Sequence, residues 1–321
     1  MKGKYHIEVS NRKLLYQLDI ERKITVIKGK SGTGKTTLIR MLQGYLEQGN
    51  KSGIKVVNEQ NVQITVFTPA TNWERDLQEL KNHIIFMDEA VDYLYTKGFQ
   101  TEFIKTDNYL VVISRSGKFA HLPYAVNSIY ELRTEKNQGT HLTKMYRLYD
   151  EKRMILEADT VITEDANAGR EMMECVFSCK VVAAAGNGKV ASEIQKVIKT
   201  SGNLCIIVDG AAFGGFISRV MALVKIRGNA CVFAPESFEY LILSTDNYSR
   251  FLKNELKQTW NYCDSSEFLT WERYFTALLD AICYENFGFH YSKSKLNDSF
   301  KNENVFRQIK ELLQETAVQD N

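Results

Sequence analysis

The chain has 321 residues, 44% of them hydrophobic and 25% charged, the balance of a globular protein with room for two domains. Its formal net charge of +2 supplies no basic stripe, so charge by itself argues neither for nor against a nucleic-acid partner. No apolar run reaches membrane-spanning length and the N-terminus lacks a signal-peptide core, so the expectation is a cytoplasmic protein without a membrane partner. In chain order, residues 5–10 and 14–20 read as two short strands, and 23–28 (KITVIK) as a third. A glycine-rich loop follows, and residues 37–42 open a helix that ends near Gly44 or Gly49. Residues 62–68 read as a strand stopped by Pro69, 73–80 as a helix, 83–88 as an apolar strand, and 90–105 as one helix or two short ones. A strand over 109–114 follows, with a last one over 128–132. Strands alternating with helices imply a parallel sheet with crossovers.

The loop carries the most specific chemistry in the first part. It reads Gly29-Lys30-Ser31-Gly32-Thr33-Gly34-Lys35-Thr36, continued by Thr37, between a strand and a helix. Glycines let backbone N–H groups converge on phosphate oxygens, and the helix N-terminus adds partial positive charge. Gly29, Ser31, Gly32, Thr33, Gly34, Lys35, Thr36 and Thr37 are therefore expected around a nucleoside triphosphate, with Lys35 on its β- and γ-phosphates and Thr36 on Mg²⁺. The strand over 83–88 ends in Asp88-Glu89, which places Asp88 to hold Mg²⁺ through water and Glu89 to polarise an attacking water. Ser114-Arg115-Ser116 closes the next strand, where a polar residue would sense the γ-phosphate or simply mark the strand's exit.

The polar stretch 134–153 is the best candidate for a boundary, although 145–149 is compatible with a strand. A second α/β pattern then starts: strands over 159–163, 181–185, 204–208 and 230–234, helices over 168–177, 189–199 and 215–225, and a mostly helical remainder from Phe238. Its polar residues gather where the strands end, the place open sheets put their sites. Glu164-Asp165 follows the first strand, Gly186-Asn187-Gly188-Lys189 the second, Asp209-Gly210 the third and Glu236 the fourth. Gly186–Lys189 and Phe213-Gly214-Gly215-Phe216 read as tight turns before they read as anion sites. The six cysteines form no CxxC pair and the five histidines show no HxH or HExxH spacing, so reduced thiols without a zinc site are expected. Aromatic residues of the tail fall at near-helical spacing over 268–284, and 305–315 (VFRQIKELLQE) is amphipathic; both suit packing or docking. The resulting division is 1–135, a linker at 136–157, 158–250, and a helical region at 251–321.

On the residues of the loop and of Asp88-Glu89, the first part resembles P-loop ATPases, and with Asn11-Arg12 ahead of the loop it looks like the ABC/SMC-related group. That resemblance implies ATP hydrolysis and adds Arg12 near the nucleotide. Two departures stand beside it: no LSGGQ-like signature is present, and no Asn-Lys-x-Asp guanine-reading motif, which favours ATP over GTP. The second pattern resembles a Toprim domain, and the two together resemble the OLD-family ATPase-nucleases and the ATPase–Toprim pairings of antiphage systems. The implied fold is a P-loop parallel sheet followed by a Rossmann-like, Toprim-like α/β domain and a helical tail. The implied activity is metal-dependent phosphodiester chemistry on DNA or RNA, with Glu164 as acid/base or ligand, Asp209 as a Mg²⁺ or Mn²⁺ ligand, and Glu236 or Glu239 as further acids. The family's Asp-x-Asp is here Asp209-Gly210-Ala211, so an altered site, an inactive domain that binds a partner protein or another copy, and a generic sheet all stay open.

Overall fold

The computed structural model describes residues 1–321 other than 30, 31, 116–118, 120, 121 and 138. Chain contacts divide it into two units: residues 1–148 with 258–269, and residues 149–257 with 270–321. Both are α/β.

The first unit is built on a nine-stranded mixed sheet. Its elements in chain order are β1 (Tyr5–Ser10), β2 (Leu14–Ile20), β3 (Ile24–Lys28), α1 (Lys35–Gln48), β4 (Lys55–Asn58), β5 (Gln63–Phe67), α2 (Trp73–Glu79), β6 (His83–Asp88), α3 (Lys97–Lys105), β7 (Tyr109–Ser114), β8 (Ile129–Asn137) and β9 (Thr140–Arg147). The strand order is β4-β1-β2-β9-β8-β3-β7-β6-β5. The run β8-β3-β7-β6-β5 is parallel throughout, and β1, β2 and β4 pair antiparallel. Every residue of β3 and of β7 is buried, which explains their continuous apolar sequences: a central parallel strand covered on both faces has no solvent side to mark with polar residues. Leu38, Ile39, Met41 and Leu42 form the buried stripe of α1 and join the core cluster with Ile27, Phe86, Val111 and Ile113. The same packing fixes where α1 starts, one residue beyond Gly34.

The second unit carries a six-stranded sheet of order β10-β15-β14-β13-β11-β12. Its elements are β10 (Tyr149–Lys152), β11 (Thr160–Thr163), α4 (Ala168–Val176), β12 (Lys180–Ala183), α5 (Asn187–Lys196), β13 (Leu204–Ile207), α6 (Gly214–Arg227), β14 (Ala230–Phe233), α7 (Phe238–Leu243), α8 (Asp246–Ser249), α9 (Trp271–Phe287), α10 (Glu303–Gln314) and β15 (Ala317–Asp320). The four strands β12, β11, β13 and β14 are parallel, and β15 adds antiparallel beside β14 and β10.

Three features differ from the sequence reading. The stretch expected as a linker at 136–157 holds the end of β8, all of β9 and β10. Its polar character reflects an antiparallel ribbon with half-exposed faces, in which Thr134 and Thr143 share a 2.9 Å hydroxyl hydrogen bond across the register pair. The tail is not wholly helical, because β15 closes it. Only four residues long, with Ala317 and Val318 buried, that strand is too short to show an alternation. Residues 258–269 belong to the first unit although they lie deep in the second half of the chain. Gly3 N–H donates to the Trp260 carbonyl (2.6 Å), Ser265 Oγ to the Asp107 carbonyl (2.6 Å), and Lys23 Nζ to the Ile104, Thr106 and Ser265 carbonyls. Among the described residues no helix is long and apolar enough to cross a membrane.

Lys23 is 6% exposed, and burial pulls its ammonium down to about 8 even though Asp107 and Asp264 oppose the shift. It ties α3's end and the 258–269 segment to the sheet through three main-chain carbonyls. Replacing it with alanine leaves three carbonyls without that donor, so Lys23→Ala is expected to cost roughly 3 kcal/mol in urea unfolding. A loss below about 0.5 kcal/mol would show that the strap holds by other contacts.

Candidate functional site

The loop between β3 and α1 turns back on itself through three glycines with positive φ: Gly29 at 149°, Gly32 at 89° and Gly34 at 85°. At Gly34 the requirement is double. Its carbonyl accepts from Tyr16 Oη at 3.0 Å, and a Cβ there would stand 2.7 Å from the same hydroxyl. Tyr16 comes from β2 and is buried, so the antiparallel part of the sheet props the loop from below. Lys35 Nζ reaches back across the loop to the Gly29 carbonyl (2.6 Å) and to Thr33 Oγ1 (2.9 Å). Burial lowers the Lys35 ammonium and Arg115 lowers it further, with Glu89 and Asp88 acting in the opposite sense. Thr36 and Thr37 are exposed on the first turn of α1. Ser31 and Ser116 lie outside the described residues.

Strand order brings the acids to this loop. β7 lies between β3 and β6, so the exits of all three strands stand in a row. Asp88 ends β6, and its Oδ1 accepts from Ala90 N–H at 3.1 Å. Glu89 is held by both carboxylate oxygens: Oε2 accepts from Arg115 N–H (2.6 Å) and Ser114 Oγ (3.3 Å), and Oε1 pairs with Arg115 Nε at 3.1 Å. A cavity of about 290 Å³ is lined by Thr33, Lys35, Thr36, Asp88, Glu89 and Arg115, with Gly32, Gly34 and Thr37 at its rim. Its polar wall and its size suit a chain of phosphates. Arg12 sits on the exposed β1–β2 turn and does not line this cavity. Asn11 makes that turn, its Oδ1 accepting from Lys13 and Leu14 N–H, both at 2.9 Å. Arg115, just past β7, enters the site through Glu89. The polar exit of β7 was visible; its pairing with Glu89 depends on the β7–β6 neighbourhood.

In the second unit Glu164 follows β11, and Asp209 lies two residues past β13. The two touch: Asp209 N–H donates to Glu164 Oε2 at 3.1 Å. Glu236, the further acid of the sequence reading, lies close along the chain path. It stands where β14 leaves the sheet, its carbonyl accepting from Ala211 N–H at 3.0 Å. The acids whose charge bears on Asp209 are Glu164, Glu272 of α9 and Glu239 of α7, opposed by Lys293. Lys293 Nζ pairs with Glu272 (2.6 Å) and with Glu239 (3.2 Å), and Tyr291 Oη donates to Glu239 Oε1 at 2.9 Å. Burial pulls the Lys293 ammonium down, but Glu239 and Glu272 more than offset this and hold it above its ordinary value. Glu239 was foreseen as an alternative acid. Glu272 and Lys293 carried no sequence signal, because they reach the strand ends only through the packing of α9 and the segment after it.

Two neighbouring residues have structural work. Asp165 caps α4, its carboxylate accepting from Asn167 N–H (3.0 Å) and Gly169 N–H (2.8 Å). Gly210 passes so close to the exit of β14 that a Cβ would lie 2.4 Å from the Ala234 carbonyl, and Ala211 beside it is buried. Among the described residues no group of three or more His, Cys, Asp or Glu side chains is arranged to hold a metal ion.

Burial raises Glu164 from 4.5 to about 7; Glu272 and Asp165 push the same way, and the Asp209 N–H and Lys293 oppose. Burial, then Glu164, Glu272 and Glu239, raise Asp209 well above its usual range. A carboxyl raised in the folded state binds its proton more tightly there than in the unfolded chain. Its contribution is fully present below about 4.5 and is lost as pH rises through about 7. Melting temperature should therefore fall between pH 5 and 8. Glu164→Gln should melt about 3 °C or more above the unsubstituted protein at pH 8, and close to it at pH 4.5. Equal curves at both pH values would remove the buried-acid assignment. No family model matches the chain, and neither a curated protein nor a solved structure matches it.

Proposed function

We propose that the chain binds and hydrolyses ATP at the Gly29–Thr37 loop, and that its nucleotide state governs a Toprim-like second unit acting on DNA or RNA. The observation that carries the first half is the convergence of Lys35, Thr36, Asp88, Glu89 and Arg115 on one polar cavity. Three left-handed glycines turn the loop, the backbone a phosphate cradle needs. Lys35 would exchange the Gly29 carbonyl and Thr33 hydroxyl for phosphate oxygens. Mg²⁺, held by Thr36 and through water by Asp88, would neutralise charge on the β- and γ-phosphates. Glu89 would take the proton of the attacking water once Arg115 and Ser114 release its carboxylate, so the γ-phosphate that draws Arg115 away also frees the base.

In the second unit Glu164 and Asp209 would hold Mg²⁺ or Mn²⁺ with Glu239 or Glu272, and Lys293 would offset charge beside the scissile phosphate. A second reading keeps the ATPase and makes this unit a recognition module for a partner protein or nucleic acid. The buried Ala211 beside Asp209 favours it, since it supplies no further carboxylate there and a hard cation held by few carboxylates binds weakly.

Lys35→Ala is expected to weaken ATP binding at least about tenfold, whereas Glu89→Gln should bind ATP and turn it over about 100-fold more slowly. Isothermal titration and phosphate release check the two separately. Unchanged turnover in Lys35→Ala would overturn the loop assignment. Cleavage of single- and double-stranded DNA and RNA with Mg²⁺ or Mn²⁺, with and without ATP, separates the two readings. Metal-dependent cleavage lost in Asp209→Ala supports the nuclease; no cleavage under any condition, with ATP turnover intact, supports the recognition module.

A further inference from the structure

Away from the strand ends that carry the acids, the second unit brings two thiols together. Cys205 on β13 and Cys231 on β14 are register partners in adjacent parallel strands, and their sulfurs stand 3.5 Å apart. Neighbouring pairs in the same ladder, Ile206–Val232 and Ile207–Phe233, are wholly apolar. The two thiols differ in access. Cys205 is 0% exposed. Cys231 is partly exposed and lines an open cleft of about 470 Å³ with Ile155, Glu157, Asn203, Gly228 and Asn229.

We propose that Cys205 and Cys231 are a peroxide-sensitive dithiol that closes to an intrachain disulfide and reopens on reduction by a small thiol. Adjacent strands in a sheet lie about 4.8 Å apart, inside the roughly 4.4–6.8 Å of Cα separation that disulfides span. Closing the bond therefore needs a side-chain rotation and a small strand adjustment, not a rearrangement of the sheet. The asymmetry of access assigns the order of events. Cys231 meets the oxidant in the cleft, and Cys205 waits beneath it as the resolving thiol. The contact with Cys205 lowers Cys231 against the opposing effect of burial, a shift that favours its thiolate, and the same contact together with burial raises Cys205.

The chemistry balances with hydrogen peroxide as the oxidant. The Cys231 thiolate attacks one peroxide oxygen, the O–O bond breaks, and the departing hydroxide takes up the proton Cys231 released, giving water and a sulfenic acid. The Cys205 sulfur then attacks the Cys231 sulfur. The S–S bond forms, the S–O bond breaks, and hydroxide leaves with the Cys205 proton as a second water. Two thiols lose two electrons in total, and one peroxide becomes two waters. The bond would join the two strands whose exits present Asp209 and Glu236, without touching either acid. The inference does not depend on the ATPase or nuclease reading.

The test uses the full chain, reduced and freed of reductant, then exposed to stoichiometric hydrogen peroxide and alkylated with N-ethylmaleimide in denaturant. Of the six cysteines, two should escape alkylation, with digestion yielding one peptide pair linked through Cys205 and Cys231. Dithiothreitol should restore full labelling. Cys231→Ser should abolish the protection, and Cys205→Ser should leave a sulfenic acid on Cys231 that dimedone traps. Full labelling after peroxide overturns the proposal, as does linkage of any other pair such as Cys175 with Cys179. If either serine variant fails to fold by circular dichroism, the linked peptide of the unsubstituted protein decides alone.

Discussion

Because β7 hydrogen-bonds to β3 along one edge and to β6 along the other, the loop after β3, the Ser114-Arg115 exit and the Asp88-Glu89 pair leave the sheet side by side. Everything in the first candidate site depends on that neighbourhood. β3 and β7 are buried along their lengths and β6 through its four middle residues, so their order is set by apolar packing. Chemistry at the exits is then free to vary without disturbing the sheet. Tyr16 adds support from the antiparallel part, and its hydroxyl couples the loop's most constrained glycine to β2.

The contact between Arg115 and Glu89 gives this site a definite resting arrangement. The Glu89 carboxylate accepts from a backbone N–H and a hydroxyl and pairs with a guanidinium, so it is held in one place. Arg115 is exposed, so the pair is screened and its release is cheap compared with a buried ion pair. The acids of the second unit follow the opposite logic. There Glu164 and Asp209 are crowded by Glu239 and Glu272, and Lys293 compensates only part of the charge. Desolvation and like-charge repulsion make that cluster responsive to anything positive that enters it, whether a proton or a cation.

Much of the first unit was legible because its signals are local. A buried parallel strand writes a continuous apolar run, and a phosphate-type loop writes its glycines and Lys-Thr at fixed spacing. The strands at Tyr5–Ser10, Leu14–Ile20, Tyr109–Ser114 and the exit acids Asp88-Glu89 stand where those signals put them. The ribbon of β8 and β9 was less legible, since half-exposed strands carry polar residues that resemble a linker. β15 was too short to pattern, and the return of residues 258–269 to the first unit rests on backbone carbonyls that any residue supplies.

The sequence by itself determined the α/β class, the loop with its Lys35 and Thr36, and the presence of acids at strand ends, because each depends on neighbours a few residues away. Tertiary structure decided which of those acids meet. It brought Glu239, Glu272 and Lys293 in, gave Asp165 to a helix cap, and paired Arg115 with Glu89. It also placed Cys205 against Cys231, residues 26 positions apart. These partners come from separate strands and helices, and only the order in which the elements pack determines their distances.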